Sequence, residues 1–293
     1  MLRLGALYRA AAADLATARR RFPHDPAIAR LEALVGRARH LVYDARSRRL
    51  SLLKFVTRDY WRLIAERPRP LLLAATLLLG AAALGAVWAV HDPGAAIGVV
   101  PGQFRKATEP GHPWREMSGG EQAQFTTAIF TNNIKVTLLV FAGGITAGIL
   151  TALALLFNGL LVGVIGGLMV EAGNGVGFVD LVTAHGVLEL SCVVVAAAAG
   201  LRLGWAMVDP GHLSRRASLQ REARRTVLIA VGTAPWLVLA GIVEGNRANL
   251  ANAGLGAVIG VGAGLGALFW GLVLWRGALA VRSEPSTWLA DTP

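Results

Sequence analysis

No charged residue occurs from Val136 to Val170 in this chain. Wound as a single α-helix, those 35 residues would reach about 52 Å at about 1.5 Å per residue, well beyond a hydrocarbon core about 30 Å thick. So long and apolar a run has to cross a bilayer, turn and cross back. Near its middle lies "FNGLL", Phe157 to Leu161, and Asn-Gly is a turn pair. The expected helix hairpin therefore turns at Asn158 and Gly159, between a span from about Asn132 to Leu156 and another from about Leu160 to Val170.

Composition places the whole chain in the same class. It is 54% hydrophobic and 16% charged, against roughly 25% charge in soluble domains. The single cysteine, Cys192, permits no intrachain disulfide and reads as a small packing residue. A net charge of +11 would suggest nucleic acid in a soluble protein, but in a membrane protein the placement of charge sets topology. Further spans are expected at about Leu71–Val90, Leu181–Val208, Thr226–Val243 and Leu255–Trp275. The stretch "DPGHLSRRASLQREARR", Asp209 to Arg225, has five arginines against two acidic residues and belongs in the cytoplasm. It reaches that side only if two spans lie between Lys135 and Glu171, which supports the hairpin.

The expected fold is all-α, a polytopic helical membrane protein with about six transmembrane helices in residues 70–280. An external loop covers 91–131, a cytoplasmic tail 281–293, and a basic cytoplasmic helical segment 1–69 precedes the spans. That first segment holds 16 Lys/Arg against 6 Asp/Glu and lacks the pattern of a signal peptide, because Arg and Asp are mixed through its apolar residues at helical spacing. "FPHDP" (Phe22 to Pro26) breaks it. A second amphipathic helix follows with Ile28, Leu31, Leu34 and Val35 on one face, so the two are expected to pack as a hairpin. The next piece, "LLKFVTRDYWRLIAERPRP", carries Phe55, Tyr60 and Trp61 among arginines, the composition of an elbow helix lying in the headgroup layer. The arginines at 19–21 and 46–49 are read as lipid-facing, with no nucleic acid as partner.

Small residues recur four apart at Gly144/Gly148, Gly163/Gly167 and Gly256/Gly260/Gly264, the spacing that lets helix backbones approach. The polar residues inside the spans are the candidate site. An ionisable group at a span's centre costs about 2.5 to 3.5 kcal/mol on insertion scales, so it faces the bundle interior with a partner. His185 and Glu189, four residues apart, share a helix face. Lys135 and Asn133 open the second span and Glu244 closes the fifth, so all five residues are expected at one depth in the outer half. Three readings stay open for this cluster: a hydrogen-bond network that fixes helix register, an outward-opening ion or substrate site with Glu189 or His185 as proton carrier, or a metal site using His185, Glu189 and Glu244. The spacing lacks the H-E-x-x-H of a metalloprotease. No nucleophile, base and orienter set is visible, so no catalytic residues, resident metal or other cofactor are expected.

The runs "TNNIKVTLLVFAGGITAGILTALALLFNGLLVG", "HGVLELSCVVVAAAAGLRLG" and "AGIVEG" resemble the stage II sporulation protein M family of bacterial integral membrane proteins. The segments "LYRAAAADLATAR" and "LVGRARHLVY" are similar to its long, widely distributed branch, whose members usually carry another helix before this point. The resemblance implies a multi-pass protein of the bacterial inner membrane with both termini cytoplasmic. Partners would be membrane lipids and other envelope proteins, peptidoglycan hydrolases or a MoxR-type ATPase module among them, and a homo-oligomer is compatible with it. The function expected is a non-catalytic scaffold or assembly partner in cell-envelope or peptidoglycan-related work. The alternative is a transport permease or exporter membrane subunit, and an intramembrane metal-dependent hydrolase comes third.

Overall fold

A computed structural model of the chain describes residues 2–22, 25–109, 118–246, 250 and 252–282. The side chains of 2–6 and 39–51, and those of a few other helical positions, His185 among them, lie outside what it describes. The chain divides into two compact units, Met1–Asp59 and Tyr60–Pro293, and the described residues contain helices and no strand.

In the first unit α1 (Leu2–Arg21) and α2 (Pro26–Lys54) are separated where prolines interrupt the sequence. The Asp25 carboxylate accepts a hydrogen bond from the Ala27 amide at 2.8 Å, satisfying one of the amides a helix start leaves unbonded. The two helices lie against each other, with Leu15 buried and Arg19 paired to Glu32 at 2.5 Å. A π-helical turn, Phe55–Asp59, closes the unit.

The second unit opens with the short α3 (Tyr60–Ala65). Its long helices are α4 (Pro68–His91), α7 (Gly119–Ala142), α8 (Ile149–Glu171), α10 (Val187–Val208), α11 (Arg215–Gly245) and α12 (Leu255–Arg282). All six are long and apolar enough to cross a membrane. Among the described residues, the short helices between them are α5 (Pro93–Ala96), α6 (Gly102–Thr108) and α9 (Gly175–Leu181). Ala96, Val100 and Phe104 of the first connection are buried with Leu161, Ile165 and Leu168 of α8, so this stretch is packed structure rather than a free loop. We name the two ends of the bundle after the ends of α4, the Pro68 end and the His91 end.

The hairpin is not where the Asn-Gly pair pointed. Helix α8 runs unbroken through Asn158 and Gly159. The chain turns instead at Gly143–Gly148, a 3₁₀ turn followed by Ala147 and Gly148 at φ 54° and 83°, a left-handed pair that glycine makes cheap at the second position. Asn158 and Gly159 are used for packing. A Cβ on Gly159 would lie 2.2 Å from the Leu78 carbonyl oxygen of α4, and the buried Asn158 side chain accepts a hydrogen bond from Asn132 at 3.3 Å. The preceding span shifts with the turn. Helix α7 starts at Gly119, where Ser118 and Glu121 form a reciprocal capping box, so Asn133 and Lys135 lie well inside the helix rather than opening it.

Two seams hold the bundle, both through backbone approach. Gly159, Gly163 and Gly167 of α8 meet Leu78, Ala82 and Ala86 of α4. Both sets of positions rise together, so the two helices run parallel. The second seam pairs Gly144 with Gly200 and Gly148 with Gly204, laying the 143–148 turn on α10. Helix α10 is the centre of the unit, with nearly every residue from Leu188 to Ala206 buried, Cys192 among them. The glycine spacing of α12 carries no such contact: side chains added at Gly256, Gly260 or Gly264 would meet nothing within 4 Å among the described residues. Tyr60 and Trp61 are buried against the bundle. Trp61 stacks edge-on with Trp236 of α11 and Phe269 of α12, and the Tyr60 ring fills the space beside Gly232. Thr233 already donates to the Ile229 carbonyl, so the Tyr60 hydroxyl donates to Thr233, at 3.1 Å. Burial pushes the Tyr60 phenol up from its ordinary range.

Candidate functional site

The polar residues within the spans form two layers. The middle layer joins α7, α8 and α10. Glu189 is fully buried, two residues into α10 after the π-helical turn Val182–Gly186, and its Oε2 accepts a short hydrogen bond from Asn133 Nδ2 of α7. Asn133 is itself buried, and its carbonyl accepts from Thr137 Oγ1 at 2.7 Å. Asn132 reaches the other way, to Asn158. Between these helices is a cavity of about 60 Å³ lined by Asn132, Asn133, Asn158, Phe104, Phe178 and Leu190. Two residues past Glu189 along α10, Ser191 donates to the Val187 carbonyl and accepts from Trp270 Nε1 of α12 at 2.9 Å.

Of the five residues expected in one cluster, the structure brings together Asn133 and Glu189. Lys135 is exposed and lines an open groove on α7 with Gln124, Thr127, Thr131 and Asn132. Its place two residues after Asn133 turns it away from Glu189, because residues two apart on a helix do not share a face. Glu244 is the penultimate residue of α11, one turn past Gly241, whose missing side chain accommodates the ring of Phe130. That sets it nearer the His91 end than Asn133. The side chain of His185 lies outside the described residues, and among those described no three His, Cys, Asp or Glu side chains gather as a metal site.

The second layer lies at the Pro68 end and was not anticipated. Arg202 of α10 is 2% exposed. Its Nε donates to Glu222 of α11 at 2.7 Å, its Nη2 to Glu66 at 2.7 Å, and its Nη1 to the Leu63 carbonyl of α3. Arg225 donates to Glu66 at 3.4 Å and Arg67 lies 3.7 Å from Glu222. The planar guanidinium donates from all three nitrogens to three acceptors on two chain segments, α3 with the residue just after it and α11, a role that Lys cannot copy. A signal for it was present in the sequence: Arg202 is the one charge between Glu189 and Asp209, and Glu222 sits among the arginines of the first turns of α11.

A six-span helical bundle with buried polar layers, preceded by a helical unit, defines a multi-pass integral membrane protein. The chain belongs to the stage II sporulation protein M family, which matches residues 73–248. Residues 1–44 match a domain of unknown function. An uncharacterized protein of Methanocaldococcus jannaschii is 38% identical over 77 residues, which is 26% of this chain and 43% of that relative, so the likeness spans less than half the relative's length. No solved structure matches.

Proposed function

We propose that this protein is a non-catalytic scaffold of the bacterial inner membrane, an assembly partner in cell-envelope or peptidoglycan-related work. The observation that carries this reading is how the span interior closes on itself. Glu189 is bonded to Asn133, Arg202 to two carboxylates, and the main helices meet backbone to backbone along glycine seams. Such packing favours one rigid arrangement over alternating ones. A transport permease using Glu189 as a proton carrier is the second reading, favoured by the cavity beside Asn132, Asn133 and Asn158.

Glu189→Gln separates the two, since glutamine keeps the shape and the acceptor oxygen for Asn133 but cannot take up and release a proton. The scaffold reading expects this variant to fold, to retain the proteins that co-purify from native membranes, and to complement a deletion strain fully. A folded variant that retains its partners but fails to complement would sink it in favour of transport.

The scaffold would place both termini and the arginines at 215–225 in the cytoplasm, following the positive-inside rule. In a Cys192→Ala background, Ser118→Cys should react with an impermeant thiol reagent in intact cells and Ser214→Cys should not. The reverse pattern would invert the topology.

A further inference from the structure

Lys135 is the exception among the charges inside the bundle. Glu189 and Arg202 are buried with partners, whereas Lys135 is exposed and has no hydrogen bond or ion pair among the described residues. It is also deep. Asn158, the tenth residue of α8, is about 14 Å from the start of that helix at about 1.5 Å per residue. The Asn132–Asn158 bond sets α7 at the same level, and Lys135 is one turn nearer the Pro68 end. Side chains on a helix lean toward its amino terminus, so the Lys135 stem points away from that nearer end. It points along the groove it shares with Thr131, Thr127 and Gln124. Together these make a polar stripe on an exposed face, where α4 shows Leu72, Leu79 and Leu84.

We propose that this face of α7 docks a membrane-spanning helix of a different protein, one that carries an aspartate or glutamate near its middle and pairs it with Lys135. Charge complementarity fixes the occupant. In a parallel two-fold dimer through this face Lys135 would meet Lys135. A second copy also has no carboxylate to offer at this depth among the described residues, since Glu189 and Glu222 are buried in their own bundle. Lipid tails offer neither charge nor hydrogen bond. The proposal rests on the scaffold reading and names the surface and the chemistry by which the scaffold holds its partner.

The test places a photoreactive benzoylphenylalanine at Thr131 of the full chain in its native membranes, with the same residue at Leu84 on the exposed face of α4 as control. The Thr131 probe should form an adduct with one other protein, within a span containing a carboxylate, and the Leu84 probe should not. Lys135→Met should lower the adduct yield about tenfold, equivalent to 1.4 kcal/mol, with the thermal midpoint unchanged. Exchanging the charges, Lys135→Glu with lysine in place of the partner's carboxylate, should restore it. Adducts with a second copy, with lipid alone or with a span lacking a carboxylate, or a yield indifferent to Lys135→Met, overturn the proposal. If partners still co-purify but cross-link only elsewhere, the docking face is wrong and the scaffold stands. If nothing co-purifies, the scaffold reading fails and takes this proposal with it.

Discussion

Replacing Gly163 by leucine should abolish the folded protein. A Cβ at that position would lie 1.9 Å from the Ala82 carbonyl oxygen and 2.7 Å from its carbon. These are backbone atoms of a neighbouring helix, so no rotamer change relieves the clash and α4 and α8 have to move apart. Overpacking in soluble cores typically costs about 1–3 kcal/mol. Here the loss should lie at or above the top of that range, because lipid supplies no hydrophobic force to press the helices together and their association depends on close packing. Separation would also break the contacts on either side, Gly159 with Leu78 and Gly167 with Ala86. Gly80→Leu is the control, a helical glycine of α4 with nothing within 4 Å of an added Cβ. Size-exclusion chromatography and thermal melting in detergent would read both variants. A Gly163→Leu protein that is monodisperse and melts with the parent would show that the seam is not what holds these helices.

Arg202→Leu should destabilise the fold by about 3–5 kcal/mol, the typical cost of removing one partner from a buried charge pair. Glu222 is 4% exposed and Glu66 sits beside it in the sequence's approach to the first span. Both would lose their main cation, with Arg225 and Arg67 at 3.4 and 3.7 Å as distant substitutes. Arg202→Lys should recover only part of the loss, since an ammonium cannot donate in three fixed directions. Combining Arg202→Leu with Glu222→Leu should cost less than the two single effects added together, because the second change removes the charge the first left stranded. Reversible unfolding in mixed micelles would measure all four proteins. A loss below about 1 kcal/mol for Arg202→Leu would mean that solvent reaches this layer and screens it.

The number of spans was legible in the sequence because charge-free length is a coarse property that bilayer thickness converts directly into crossings. The position of the hairpin was not. Asn-Gly and Gly-Gly-Ile-Thr-Ala-Gly both carry turn residues, and the choice between them rested on tertiary contacts. Gly159 is spent on the approach to Leu78 and Asn158 on Asn132, neither of which local propensity encodes. The capping box at Ser118 and Glu121 was readable and would have moved the start of α7 to its place. Misplacing that helix put Lys135 at the mouth of a span, in a cluster with Glu189 that the structure does not form. Glycine spacing likewise marks where a helix is able to pack closely without saying whether it does, as α8 and α12 show with the same spacing and opposite surroundings. The Arg202 layer was overlooked because a single arginine in an alanine-rich run reads as an exception, and its partners come from sequence-distant segments.

The parallel seam between α4 and α8 sets a condition on biosynthesis. A ribosome delivers α4 to the bilayer first, but the glycines that receive its Leu78, Ala82 and Ala86 surfaces are translated only after α7 has emerged and the chain has turned at Gly148. Through that interval α4 sits in lipid without its principal neighbour, and Arg202, which anchors the Glu66 side of its entry, arrives later still. Insertion and assembly are therefore separated in time for this chain, and the first-inserted helix depends on the membrane insertion machinery, or on lipid alone, to hold its place until the central helices come down to meet it.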